Sequence, residues 1–114
     1  MNNTMNNMAE ENVFTDAVGD YPITRVLCLL MTGREIEYSI SDIAECAQVG
    51  WTTLHYILPE LEKKELIKHT RDIGRAKMYK INQENLVAQQ MILFYDNLLD
   101  LSADEVIKKQ AIKH

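Results

Sequence analysis

The chain has 114 residues, enough for one domain with a flanking helix or two, and its 46% apolar content supports a modest core and excludes wholesale disorder. A formal charge of −5 is the wrong sign for a protein that coats nucleic acid along its whole surface. No apolar run approaches a membrane span, and the first residues lack the basic-then-apolar pattern of a secretory signal, so a cytoplasmic protein with no membrane partner is expected.

Residues 1–12, MNNTMNNMAEEN, are polar and Asn-rich and read as a mobile tail. Val13 to Gly19 are expected to form a turn of helix. Tyr21-Pro22 opens a firmer element, because proline suits the first turn of a helix and Asp20 stands where it can cap one. Ile23, Val26, Leu27, Leu30 and Met31 recur at spacings of three and four, which makes one buried stripe, and Gly33 ends the helix. Ile36, Tyr38 and Ile40 alternate as a short extended piece. Ser41 reads as the N-cap of a two-turn helix with Ile43, Ala44 and Ala47 inward. Gln48-Val49-Gly50 is the turn that follows, with Val49 plugging the angle between two helices.

The next helix runs from Trp51 to about Lys64. Residues placed at 100° intervals put Leu54, Ile57, Leu58 and Leu61 on one side. Thr52, Tyr56, Pro59 and Lys63 point the other way, Thr53 and His55 lie on the flanks, and Trp51 is expected to pack toward the core. Pro59 lacks an N–H and crowds the carbonyl of His55, so a kink or loosened turn is expected near residues 55–59. Leu66 to Arg71 and Lys77 to Ile81 read as strands joined through Asp72-Ile73-Gly74-Arg75, with Gly74 supplying a positive φ. Ile67, Tyr79 and Ile81 are the inward residues of this hairpin; Lys68, Lys77 and Lys80 face outward.

Asn82 reads as the cap of a long helix from Gln83 to about Leu101. Its apolar residues form two rows, Val87, Met91, Phe94, Leu98 and Leu101 in one and Ile92, Tyr95 and Leu99 in the other. One row can dock on the rest of the chain and the other has no partner within it, which implies a homodimer. Val87, Met91, Phe94, Tyr95, Leu98, Leu99 and Leu101 are the candidate dimerisation residues. Ser102-Ala103-Asp104-Glu105 matches a capping box and predicts a final short helix anchored by Val106 and Ile107. The division expected is a tail over 1–12, a compact domain over 13–82 and a helical dimerisation segment over 83–114.

Charge is unevenly placed. Between Lys63 and Lys80 the chain carries Lys63, Lys64, Lys68, Arg71, Arg75, Lys77 and Lys80 against only Glu65 and Asp72, whereas residues 1–20 carry acids and no Lys or Arg. A solvated surface more often mixes signs, so the basic hairpin and the turn leading into it are a candidate polyanion-binding region. Cys28 and Cys46 sit in helical patterns and read as buried free thiols in a reducing compartment. His55, His69, His114, Cys28 and Cys46 never occur at paired ligand spacings, so no metal is expected. With four glycines and no legible nucleophile–base arrangement, neither a phosphate-cradling loop, a cofactor nor an enzyme is expected.

The stretch DIAECAQVGWTTLHYILPELEKKELI followed by RDIGRAKMYKI resembles the winged helix-turn-helix domain of small prokaryotic regulators, the MarR and ArsR-like group, and archaeal members with a C-terminal dimerising helix are nearest in layout. The similarity spans about residues 21–100. It departs at Gln48, where many members have Gly, and at Glu65, where Gly is usual and the helix end is expected to do without a left-handed glycine. The resemblance implies a mainly α fold with a small β-hairpin (α+β), a winged helix-turn-helix with a C-terminal dimerisation helix.

It further implies a homodimeric transcriptional regulator that binds double-stranded DNA. The Trp51–Lys63 helix would enter the major groove N-terminal half first, with Thr52, Thr53, His55 and Tyr56 near base edges. Arg71, Arg75 and Lys77 of the wing would lie on phosphates or the minor groove, with Lys63 and Lys68 as lesser contacts. A small-molecule effector between the last long helix and the wing domain is also compatible. The competing reading is a winged-helix module for protein association in a larger assembly, which the net acidity, Pro59 and the absence of Arg from the recognition helix favour.

Overall fold

A computed structural model describes residues 13–112, with side chains described as far as Ala103. The tail expected over 1–12 and the anchors expected at Val106 and Ile107 lie outside the described residues and side chains. The elements in order are α1 (residues 13–18), α2 (Pro22–Thr32), β1 (Tyr38–Ser39), α3 (Ile40–Ala47), α4 (Trp51–Lys63), β2 (Ile67–Ile73), β3 (Ala76–Ile81) and α5 (Leu86–Ile112). The strands form an antiparallel sheet in the order β1-β3-β2. Tyr38 pairs with Tyr79, Ile67 with Ile81 and Ile73 with Ala76.

One apolar core holds these pieces together. It takes Val26, Leu27, Leu30 and Met31 from α2, Ile43 and Ala47 from α3, Leu54, Leu58 and Leu61 from α4, and Ile67, Tyr79 and Ile81 from the sheet. Each of the larger side chains contributes roughly 1.5–3 kcal/mol by leaving water. Val49 is buried at the α3–α4 angle, as its place as the apolar residue of the Gln48-Val49-Gly50 turn implies. Ile23 is an exception to the α2 stripe, being exposed at its edge.

The caps differ from those the sequence singles out. Asp20 does not cap α2; it pairs with Arg25, and the Thr24 hydroxyl accepts from the Tyr21 N–H instead. Gly33 ends α2 at φ −105°, so left-handed freedom is not its use: a Cβ there would sit 2.0 Å from the Tyr38 hydroxyl. Ser39, not Ser41, caps α3. Its hydroxyl accepts from the Asp42 N–H and the Asp42 carboxylate accepts from the Ser39 N–H, a reciprocal pair that Ser41 cannot make because Ala44 stands three residues on. This cap also cuts the extended piece to Tyr38–Ser39 and leaves Ile36 exposed.

Both positions where the sequence lacks a glycine keep the left-handed conformation. Gln48 has φ +57° and Glu65 has φ +60°. At the end of α4 the Leu66 N–H donates to Leu61 O and the Glu65 N–H to Glu62 O, the paired bonds of a Schellman motif, so Glu65 adopts the strained backbone in place of glycine. At the end of α3 the Val49 N–H donates to Ala44 O in the same way. The α4 helix continues through Pro59 as one element, with Leu54, Leu58 and Leu61 buried.

The α5 helix starts later and runs farther than its sequence signals indicate. Asn85 provides the cap, accepting from the Ala88 N–H, while Asn82 donates to Glu65 O and ties the end of β3 to the end of α4. The break expected at Ser102 is absent. No Gly or Pro interrupts Leu86–Ile112, and keeping the helical hydrogen-bond ladder costs less than breaking and recapping it. Ala88, Ile92 and Tyr95 dock on the core. The Tyr95 hydroxyl bonds Thr32, its ring meets Phe14 edge-on, and Arg34 forks onto Asp96 at 2.6 and 3.0 Å.

Candidate nucleic-acid interface

The α3–α4 pair and the β2–β3 hairpin present most of the candidate residues. Thr52, Thr53, His55 and Lys63 are exposed on α4, and Tyr56 is 75% exposed. Gly50 occupies the N-cap of α4 and contributes no side-chain acceptor, and the first turn holds no acid. The first N–H groups of this helix are therefore uncapped by any side chain and free to meet an anion. Glu60 and Glu62 lie in the other half, so the two halves of α4 differ in the charge they would tolerate.

Trp51 was expected inward and is instead 51% exposed, because its position at the start of α4 lies beyond the reach of the α2–α3 core. Its ring stacks on His55 at 5.7 Å and 29°. The His55 Nδ1–H donates to Trp51 O at 2.7 Å. The turn before α4 is held from α2, where Arg25 donates to Gln48 O at 3.1 Å while paired with Asp20 at 2.7 Å. That hydrogen bond and charge hold the Asp20 carboxyl below its ordinary range. Nothing in the sequence marks Arg25 for this role, because its partner carbonyl is 23 residues away.

In the hairpin, Gly74 at φ +61° and Arg75 make the two-residue loop between the paired Ile73 and Ala76. The register slips between His69 and Arg71, leaving Thr70 as an extra residue that bends β2. Glu37 grips this bulge: it accepts from the Thr70 hydroxyl and from Arg71 at 3.1–3.2 Å. The Thr70 hydrogen bond first, and Arg71 second, hold the Glu37 carboxyl below the usual glutamate range. Lys68 stands 4.0 Å from Glu84 and Lys80 3.9 Å from Glu35. Among the described residues Lys63, Arg75 and Lys77 have no acid within ion-pair distance. The structure thus brings Trp51, Arg75 and Lys77 to the lining of one cleft and commits Lys68 and Arg71 to acids of the chain itself.

No protein-family model matches the chain, and no curated protein matches it. Solved structures do. MepR, a transcription regulator of the Staphylococcus aureus multidrug efflux pump MepA, is similar at a TM-score of 0.62 over 93% of this chain and 79% of its own, with 16% identity. Reduced HlyU from Vibrio cholerae is similar at 0.57 over 86% and 97%, with 18% identity. Lactococcus lactis ZitR in complex with DNA is similar at 0.54 over 75% and 60%, with 17% identity.

The chain has a winged helix-turn-helix fold. In that fold α3 and α4 are the helix-turn-helix and β2–β3 is the wing. The mainly helical α+β class expected from the sequence is the one observed.

The candidate dimerisation residues divide into three groups. Val87, Phe94 and Leu101, seven residues apart, form an exposed stripe on α5. Met91, Leu98 and Leu99 are half-buried against the core, and Tyr95 is 2% exposed inside the chain. Leu86 and Leu93 are exposed beside the stripe and were not singled out by the row pattern. Of the thiols, Cys28 is buried as expected; Cys46 is exposed, because it falls on the flank of α3, outside the arc that Ile43 and Ala47 bury. No group of His, Cys, Asp and Glu among the described residues could hold a metal, and no described helix is long and apolar enough to cross a membrane.

Proposed function

We propose that this winged-helix protein binds double-stranded DNA with modest sequence selectivity, acts as a homodimer, and regulates transcription. The observation that carries the reading is that Arg75 and Lys77, which meet no acid among the described residues, line one cleft with Trp51 at an α4 N-terminus that no side chain caps. Phosphates would meet the cations and the first-turn N–H groups, and Thr52, Thr53 and Tyr56 would face base edges. That ZitR has been solved in complex with DNA, and that MepR is a transcription regulator, supports the same use of the fold here. His55 and Lys63 are lesser contacts in this reading, and Lys68 and Arg71 are weakened by their acids.

The exposed α5 stripe supports the dimer. Val87, Phe94 and Leu101 would face their counterparts in a second copy, which places two recognition helices about 34 Å apart on successive major grooves. Selection of binding sites from a random duplex library by the purified protein tests the proposal. Enriched inverted repeats are expected; a flat output would instead favour the protein-association reading. Changing Phe94 and Leu101 together to Asp is expected to give a monomer in sedimentation and to weaken DNA binding, and a variant that stays dimeric would sink the α5 interface.

A further inference from the structure

A cleft of about 210 Å³ opens between the first turn of α3, the first turn of α4 and the tip of the wing. Its lining includes Ile40, Ser41, Trp51, Arg75, Ala76 and Lys77. The volume is below the roughly 300–1,000 Å³ of pockets for drug-sized molecules. Its lining is chemically mixed: Ile40, Trp51 and Ala76 are apolar, and Arg75, Lys77 and Ser41 are cationic or polar. An apolar five-membered ring flanked by anions matches that mixture, and a deoxyribose between two phosphates is such a ligand.

We infer that this cleft seats one sugar–phosphate unit of a DNA strand, with the sugar on the Trp51 indole and its phosphates on Arg75 and Lys77. The inference rests on the DNA-binding reading and assigns Trp51 a part in it that neither charge nor helix pattern predicts. The stack with His55 holds the indole in place, so little ordering is needed on binding. A backbone contact of this kind fixes the register of the recognition helix and carries no base preference. Trp51 is therefore a positioning residue.

Trp51 is the chain's single tryptophan, so its emission reports on this cleft alone. Titration with duplex DNA, followed both by anisotropy of labelled DNA and by acrylamide quenching of Trp51, is expected to show quenching falling severalfold as DNA binds. Trp51→Ala is expected to lower affinity by roughly five- to tenfold, the low end for aromatic contacts to nucleotides, and equally on enriched and scrambled duplexes. Its salt slope should match the parent's, because no charge is lost, and Trp51→Phe should recover part of the affinity. Binding by anisotropy with unchanged Trp51 quenching would overturn the cleft while leaving DNA binding intact. A loss confined to the enriched sequence would overturn it in favour of base contact, and no binding to any duplex would overturn both readings.

Discussion

At the root of the wing, Lys68, Arg71 and Lys80 each lie within 4.0 Å of a carboxylate from another part of the chain, whereas at its tip Arg75 and Lys77 meet none among the described residues. The two regions have similar composition and different electrostatics. Glu37 is 34 residues from Arg71, and Glu35 and Glu84 come from the loops before β1 and after β3. A polyanion gains from a cation only what local acids leave unspent, so counting basic residues along β2 and β3 overstates the root. The root is better described as an anchor: Glu37 ties the bulge at Thr70 to the strand that precedes α3, and Asn82 ties β3 to the end of α4.

Removing the tip should have the largest effect. Arg75→Ala with Lys77→Ala is expected to weaken DNA binding on the order of a hundredfold at physiological salt, and to flatten the salt dependence by about one unit per cation removed in each protomer. Lys68→Ala with Lys80→Ala is the matched change at the root and should cost less than about threefold, since those charges are already partly neutralised. Equal losses from the two double variants would erase the distinction between root and tip.

Glu37→Gln converts root into tip. It is expected to raise DNA affinity by about two- to fivefold, because Arg71 is released and a negative charge is removed from the wing. The Glu37 carboxyl titrates below the ordinary glutamate value of 4.5, so its contribution to folding is complete above that value and is lost as pH falls through the folded pKa. Denaturant melts across the acid range should show Glu37→Gln lacking that part of the decline. Carboxyl NMR placing the Glu37 midpoint at or above the ordinary value would contradict the clamp.

The smallest effects concern how the anchor is built. Glu65→Gly is expected to stabilise the fold by roughly 0.5–1 kcal/mol, the relief of left-handed strain less the added unfolded-state entropy of glycine. Asp96→Asn should cost no more than about 1 kcal/mol, because the forked pair with Arg34 is partly exposed. Arg34 holds the Asp96 carboxyl below its ordinary range, so this cost should be present at neutral pH and fade in acid. Melts of both variants check these signs.

Much of this arrangement was legible in the sequence. The spacing of Leu54, Leu58 and Leu61 gives the buried side of α4, Gly74 marks the hairpin, and Gln48-Val49-Gly50 marks the turn. The Ser39-Ile40-Ser41-Asp42 capping box is also legible, since Asp42 stands three residues after Ser39. Other features had no local signal. Asn82 and Asn85 are both good caps, and the choice between them follows from the carbonyl of Glu65 that Asn82 meets. Which α5 row docks was undecided until Thr32 and Phe14 were seen to engage Tyr95.

The sequence by itself determined the types of element, their order and most of their inward faces, because helix and strand periods and turn residues act over a few positions. Tertiary structure decided which cations meet no acid among the described residues, that Trp51 faces outward, that Asn85 and not Asn82 caps α5, and which α5 row docks. The reason is physical. Charge pairing and burial are set by groups distant in the chain, and only their meeting in space fixes whether an arginine is an anchor or a contact.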